Sequence, residues 1–426
     1  MKIVCAPLDL GFKGHGSADL QVVLYGQPDN KTRGGIGGNI REKIAHFKLR
    51  PAPRAWDLLS IALSVVASDT ASLRTGNSDG WTRELDLQTA VGDDAFWTLQ
   101  RALVENALRF LTTDIWRVSF LGQGIQPAPP KHPVLPEEDC AALLSGGLDS
   151  LIGVLDLAAR QKKRPYLVSQ VSQGDKQTQS YFAANIGGGL SHLQLNHVVT
   201  VPGVRELSQR SRSVIFLAYG VLAATTLKTY QDGNTVPLYV CENGFISVNP
   251  PLTPARVGSL STRTTHPVFL ALFQQILDAA GLRVRIENPY QFMTKGEMLN
   301  QCADQTFLNK HAHSTTSCGR YARNAYRHCG RCVPCLIRRA AFHAWKQADK
   351  TEYVFADLGK DDAKHAGFDD VRSAGMAVAS VKSDGFDRWF GSSLSSVLIP
   401  DATSYKQTVA RGLKEIEQFL MSAGVK

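Results

Sequence analysis

No apolar run in this chain approaches the ~20 residues an α-helix needs to cross a bilayer. The best candidate, Leu58 to Ala67, is interrupted by Ser60 and Ser64 and reads as a core helix. The first strand-like run, Met1 to Cys5, is not followed by the apolar stretch and cleavage site of a secretory signal. A cytoplasmic location without a membrane partner is therefore expected. There is no internal repeat, and low complexity is confined to one Pro/Gly-rich segment. The eight cysteines are not expected to build a disulfide frame, because cytosolic thiols stay reduced. Cys5, Cys140 and Cys241 lie in apolar, strand-like contexts that suit buried free thiols.

What is present is the composition of a globular protein. A chain of 426 residues, 43% hydrophobic and 20% charged, predicts two or three domains. The formal charge of +9 favours acidic partners such as nucleotide phosphates or nucleic acid. The basic residues are spread out, except for Arg320, Arg323, Arg327, Arg331, Arg338 and Arg339. Residues 1–121 read as an α+β accessory domain, with strands at Gln21–Tyr25, Trp81–Leu87 and Ile115–Phe120 and helices at Ala55–Ala67 and Ala95–Phe110. Within it, Gly34 to Gly38 reads as a flexible turn, because a dinucleotide fingerprint would need a preceding strand and a fuller glycine spacing. A Pro/Gly linker is expected over 122–136. Residues 137–345 alternate strands (Ala141–Leu144, Pro165–Val171, His197–Val201, Pro237–Cys241, Arg283–Glu287) with helices (Val214–Tyr230, Pro267–Ala280). That pattern predicts an α/β domain, a parallel sheet with helices on both faces. In the extension 346–426, Val409, Leu413, Ile416, Phe419 and Leu420 form a helical packing stripe.

Two patterns carry chemistry. The first is Leu144-Ser145-Gly146-Gly147-Leu148-Asp149-Ser150, between a buried strand and a helix. The glycines let backbone N–H groups approach an oxyanion, the helix N-terminus adds its dipole, the serines add hydroxyls, and Asp149 offers a carboxylate to Mg²⁺. It lacks the Gly-Lys-Ser/Thr ending of a Walker A loop. The second is Cys318, Cys329, Cys332 and Cys335, a C-x10-C-x2-C-x2-C spacing that closes a tetrahedral zinc site, with an iron–sulfur cluster as the rival. His313 and His328 lie close by and are read as bystanders.

The hexapeptide Ser145–Ser150 resembles the SGGxDS loop of the N-type ATP pyrophosphatases. Thr315-Thr316-Ser317-Cys318 with Cys329-Gly330-Arg331-Cys332-Val333-Pro334-Cys335-Leu336-Ile337-Arg338 is similar to the T-x-S-C … C-G-x-C-x-x-C-x-x-R pattern of the QueC (7-cyano-7-deazaguanine synthase) family. Thr294-Lys295-Gly296-Glu297-Met298 resembles its T-K-x-E segment, and Arg212-Ser213-Val214-Ile215-Phe216-Leu217 its R-N-x-x-F-L segment with serine for asparagine. The resemblance implies a PP-loop fold of the adenine nucleotide alpha-hydrolase (HUP-like) type carrying a zinc knuckle. It implies ATP, Mg²⁺ and one structural Zn²⁺, and adenylation of a 7-deazaguanine carboxylate before a nitrogen nucleophile displaces AMP. Leu144 to Ser150 and Arg212 would then hold the nucleotide, with Asp149, Lys295 and Arg338 catalytic. Thr294 and Glu297 also read as a helix capping box.

Two segments depart from the family. Gln170 to Gln177 lacks its tyrosine, and Cys241-Glu242-Asn243-Gly244 with Ser261 to Pro267 replaces its base-reading segment. With the added terminal regions, these changes resemble the QueC-like proteins of bacterial defence operons, above all the component of the Qat anti-phage system. That resemblance implies partner proteins, and an amine on one of them as an alternative to ammonia. The other readings are queuosine biosynthesis, a tRNA-modifying pyrophosphatase that recruits Cys140 or Cys241, and a non-catalytic ATP-sensing subunit.

Overall fold

A computed structural model describes residues 1–425 apart from 11, 13–16, 78, 172–173, 254–262, 360–369, 392–393 and 400. Ser172, Gln173, Ser261 and Thr262, named above in the departing segments, lie outside the described residues. Two sheets organise the chain. The first takes β1 (Lys2–Ala6), β2 (Leu20–Leu24), β3 (Gly34–Ile36), β4 (Glu84–Ala90) and β5 (Ile115–Leu121). The second takes β6 (Cys140–Leu143), β7 (Pro165–Gln170), β8 (His192–Leu195), β10 (Val236–Tyr239) and β11 (Val284–Glu287), while the short β9 (Val199–Thr200) returns to the first. The orders are β5-β4-β1-β2-β3-β9 and β11-β10-β6-β7-β8. All pairings are parallel except β3 with β9.

Both sheets thus start from a central strand, wind one way for two strands and then the other way for two. In doubly wound sheets the crevice at that reversal, beyond the carboxyl ends of the strands, is where ligands bind. In the second sheet it lies between β6 and β10.

Alternation along the strands sorts the core. Ala141 and Leu143 of β6 join Val22, Leu24, Leu59 and Leu63 of the first block and Ala218 and Leu222 of the helix Arg212–Ala224 in one large cluster. Cys140, Ala142 and Leu144 face the opposite way, against the helix Leu148–Ala159 and against Met298, Leu299 and Phe342. The C-terminal stripe is packing as expected, since Val409, Leu413, Ile416, Phe419 and Leu420 of the helix Ala402–Ser422 are all buried.

Three expectations need correction. The first block is not α+β, because its strands run parallel. Strand-like and helix-like runs alone do not fix strand direction, and β5 alternates, with Ile115, Arg117 and Ser119 exposed and Trp116 and Val118 buried. Alternation of that kind is usually the mark of an antiparallel sheet with one wet face. Gly34 and Gly35 form a strand, not a flexible turn. A Cβ on Gly34 would lie 2.8 Å from the Thr200 carbonyl oxygen, and one on Gly35 2.7 Å from Pro28 Cδ, so the glycines permit close strand packing. The strand expected over His197–Val201 shrinks to β9 and pairs in the first sheet, while His192–Leu195 takes the place beside β7.

Candidate active site and metal centre

The loop Ser145–Gly147 leaves β6 at the reversal. Gly146 has φ +88°, a conformation that side chains rarely adopt, and a Cβ there would press on Asp175 at 3.2 Å. Ser145 Oγ accepts from the Gly147 N–H at 3.2 Å and lies 3.1 Å from Ser150 Oγ. Two distant segments brace the turn. The Thr316 N–H donates to the Gly146 carbonyl at 3.0 Å, and Thr316 Oγ1 donates to Asp175 Oδ1 at 2.7 Å.

Asp149, in the first turn of the helix, is buried and heavily engaged. Lys295 Nζ lies 2.5 Å from its Oδ1, and Asn243 donates to its Oδ2 from the backbone at 3.1 Å and from Nδ2 at 2.7 Å. Burial pushes the Asp149 carboxyl up, but the Lys295 charge and hydrogen bonds from Glu242, Lys295 and Asn243 outweigh it and hold the group at about 2. Burial and the Asp149 charge drive Glu242 well above the ordinary carboxyl range. The same pairing thus holds the Asp149 carboxyl low and the Glu242 carboxyl high.

Lys295 opens the helix Lys295–Gln301 behind a complete capping box, so the cap and the charge at Asp149 coexist. The C-terminal helix secures this cap. Thr294 Oγ1 donates to Glu415, the Gly296 N–H reaches Glu415 Oε2 at 3.3 Å, and Arg411 Nε lies 2.6 Å from Glu297 Oε1.

A cavity of about 720 Å³ opens in front of the loop, lined among others by Ser145, Ser150, Arg212, Glu242, Arg263 and Thr265. The structure thus brings the loop and Arg212 to one space and Lys295 to Asp149. Arg338 is elsewhere. It is fully buried, and every side-chain nitrogen is engaged within the protein: Nη1 with Thr315 Oγ1 at 2.8 Å and Ser317 Oγ at 3.1 Å, Nη2 with the Ala312 carbonyl at 2.6 Å, and Nε with Thr351 Oγ1 at 3.1 Å. It braces the 312–317 segment, which in turn holds Gly146 through Thr316.

Glu242 and Asn243 were not singled out as site residues from the sequence. They follow β10, the neighbour of β6 across the reversal, and only the strand order reveals that adjacency.

The four cysteine Sγ atoms lie within 4.8 Å of one another, all buried. Cys318 to Cys332 and Cys329 to Cys335 are both 3.9 Å. A tetrahedron of thiolates at the zinc–sulfur distance of about 2.3 Å has edges of about 3.8 Å. Backbone N–H groups of Arg320 and Cys329 point at Cys318 Sγ, and that of Cys332 at Cys329 Sγ, each at 3.3 Å. The cluster fits zinc, and sulfurs this close suit one ion better than a multi-iron cluster. His328 is a bystander here, its Nε2 accepting from the Ser317 N–H at 3.1 Å. The other buried thiols are poor nucleophiles, since burial raises Cys140 to about 12 and pushes Cys241 up further.

The arginine cluster is partly structural. Arg331 Nη1 binds the Leu358 carbonyl at 3.1 Å and Arg339 Nη2 the Ala356 carbonyl at 2.7 Å, while Arg323 and Arg327 are exposed. Among the described residues, no helix is long and apolar enough to cross a membrane.

Comparison with known proteins places similarity in the same region. Residues 264–346 match the family model described as "Queuosine biosynthesis protein QueC". The chain is 27% identical over 240 residues to a 7-cyano-7-deazaguanine synthase of Brucella canis, covering 51% of this chain and 94% of that protein. The same figures hold for the 7-cyano-7-deazaguanine synthase of Brucella suis biovar 1. No solved structure matches significantly.

Proposed function

We propose that this protein is an ATP pyrophosphatase of the QueC type that adenylates a 7-deazaguanine carboxylate and passes the acyl group to a nitrogen nucleophile. The observation that carries the reading is the meeting, at the reversal of a parallel sheet, of the Ser145–Gly147 loop with the buried Asp149–Lys295 pair. The similarity to proteins named 7-cyano-7-deazaguanine synthase supports the substrate class.

The chemistry divides between the residues as follows. A carboxylate is a poor acyl donor, because attack on it would expel oxide. Its oxygen instead attacks the α-phosphorus of ATP, the bond to the β-phosphate oxygen breaks, and pyrophosphate leaves. The nitrogen nucleophile then adds to the acyl carbon and AMP departs with its electron pair. Backbone N–H groups of the loop and the Ser145 and Ser150 hydroxyls bind the phosphates. Asp149 and Glu242, two carboxyl groups beside the loop, fit a divalent cation. Mg²⁺, when bound, neutralises charge moving onto pyrophosphate. Lys295 keeps Asp149 ionised and adds positive charge at the same place.

The nucleophile is ammonia or an amine of a partner protein, and the setting is bacterial anti-phage defence. Supporting this finer reading are Glu242-Asn243 where the family reads the base, and the first block and C-terminal extension as accessory parts. The relatives align to 51% of the chain, which leaves about half to such additions. A tRNA-thiolating reading is disfavoured, because Cys140 and Cys241 lack the lowered pKa a nucleophilic thiol requires.

Incubation with ATP, Mg²⁺ and 7-carboxy-7-deazaguanine, with and without co-encoded proteins, tests the proposal. Release of pyrophosphate and AMP, with a deazaguanine-sized mass increase on a partner, is the expected result. Formation of the free nitrile from ammonia alone would move the function to queuosine biosynthesis. No pyrophosphate under any combination would leave an ATP-sensing subunit.

A further inference from the structure

Beside the cavity, a buried cluster of acids and arginines, with Glu206 accepting from the Arg74 N–H at 2.9 Å, leaves one guanidinium short of hydrogen-bond partners. Asp69 and Asp114 balance Arg74 and Arg83: Arg83 Nη2 lies 2.6 Å from each acid, and Arg74 Nη1 is 2.9 Å from Asp114 Oδ1. Arg210 packs next to these pairs as a third guanidinium. Its backbone N–H donates to Asp69 Oδ2 at 2.7 Å, and its guanidinium lies over the Trp81 ring, 4.1 Å from the centroid. Although Arg210 is only 7% exposed, its Nε and Nη1 have no hydrogen-bond partner among the described residues. Ser213 repeats the pattern, 9% exposed with an unpartnered Oγ.

Both side chains line the cavity that Ser145 and Ser150 also line. Between them begins the helix Arg212–Ala224, whose N-terminal N–H groups receive no side-chain cap, because Ser211 Oγ donates to Asp69 Oδ2 at 2.7 Å. Buried guanidinium nitrogens without hydrogen-bond acceptors are costly, and so is a buried hydroxyl without a partner. Their convergence on one cavity beside a bare helix N-terminus removes both costs if an anion sits there.

We propose that Arg210 and Ser213, with the N-terminus of the helix Arg212–Ala224, form a second oxyanion subsite in this cavity, separate from the Ser145–Ser150 loop. It takes a phosphate or carboxylate group of a molecule bound there with the nucleotide. Assigning that group to a reactant rests on the proposed function; the existence of the subsite does not.

The Trp81 ring over Arg210 provides a readout. Inorganic phosphate titrated into the full chain is expected to change tryptophan fluorescence saturably in the wild type and in Asp149→Asn, and not in Trp81→Phe. Arg210→Met is expected to weaken phosphate binding, measured calorimetrically, by about tenfold or more, and Ser213→Ala by less. Without anion, Arg210→Met should melt no lower than the wild type, because it removes buried nitrogens that have no hydrogen-bond partner. Two arms identify the source of the anion. Weakened ATP binding with unchanged AMP binding points to the nucleotide's own phosphates. Unchanged ATP affinity with a raised KM for the carboxylate points to the second substrate. If Arg210→Met melts normally yet binds phosphate, ATP and carboxylate as the wild type does, the subsite is wrong, whatever the fate of the adenylation reading. Should Arg210→Met fold poorly, Arg210→Lys must retain phosphate binding, and its loss there would also overturn the proposal.

Discussion

The two sheets share one strand order, yet the carboxyl ends of their strands at the reversal are finished in different ways. In the first sheet the residues after β4 are closed over. Asp57, from the helix Pro53–Ala71, accepts from the N–H groups of Gly92 at 2.7 Å and Asp93 at 3.2 Å, from Trp97 Nε1 at 3.0 Å and from Gln126 Nε2 at 2.8 Å. The Gly124 N–H binds the Val91 carbonyl at 2.8 Å, so the Pro/Gly-rich segment itself lies across the end of the strand. In the second sheet Asp149 meets Lys295, Asn243 and Glu242 beside an open cavity. Topology therefore supplies a crevice, and what the local residues do with it decides whether it becomes a site. One buried carboxylate is saturated by neutral donors and holds structure. The other is held ionised by a cation next to the Ser145–Gly147 loop.

Four outcomes sharpen or break that contrast. The largest effect is expected from metal removal. Structural zinc sites contribute apparent binding free energies of about 10–16 kcal/mol, so stripping the ion from the four thiolates should disorder residues 312–335 and release the Thr316 brace on Gly146. Hydrogen exchange should rise there and around Ser145 while β1, β4 and β5 stay protected; uniform loss of protection would show that the sheets are not separable in this way. Asp149→Asn comes next, with pyrophosphate release expected to fall by about 10³-fold or more while circular dichroism is unchanged. Asn is the cleaner replacement, because Ala would leave the buried Lys295 ammonium without any partner. At the other reversal, Asp57→Ala leaves the Gly92 and Asp93 N–H groups and Trp97 Nε1 without this acceptor and should cost about 3 kcal/mol of stability in urea melts, with the specific activity of the folded protein retained. Loss of activity without loss of stability would erase the distinction between the two carboxylates.

The smallest effect is a pH dependence at the clamp on Lys295. Burial raises Glu415 to about 7, against Thr294 and Gly296 hydrogen bonds that lower it. A carboxyl raised on folding binds its proton more tightly in the native state, so its contribution is complete below the unfolded value near 4.5 and is lost as pH rises through 7. Stability should therefore decline between pH 4.5 and 7 by up to about 3 kcal/mol from this group, and Glu415→Gln should flatten the decline. An unchanged slope in the variant would remove Glu415 from the clamp.

Local signals were legible where chemistry is local. The Ser145–Ser150 turn, the C-x2-C-x2-C steps and the Thr294–Glu297 cap each lie within one short stretch and appear as read. Arg338 misled because its place in a motif says nothing about which acceptors surround it, and these come from residues 312–317 and Thr351. Glu242 and Arg210 were hidden for a similar reason. The partner of Glu242 lies across the strand-order reversal, and the unpartnered nitrogens of Arg210 appear only once Asp69 and Asp114 are seen to take up Arg74 and Arg83. The first sheet was misread because a series of strand-like and helix-like runs leaves parallel and antiparallel pairing open, and only the strand neighbours decide it.

The central claim is that a carboxylate attacks the α-phosphorus of ATP at the Asp149 loop. Carboxylate-labelled [¹⁸O]7-carboxy-7-deazaguanine, turned over with ATP and Mg²⁺ and analysed by mass spectrometry, tests it directly. The account predicts one ¹⁸O atom in the AMP and none in the pyrophosphate, with no labelled AMP from Asp149→Asn. Unlabelled AMP, or ADP and phosphate in its place, would contradict it.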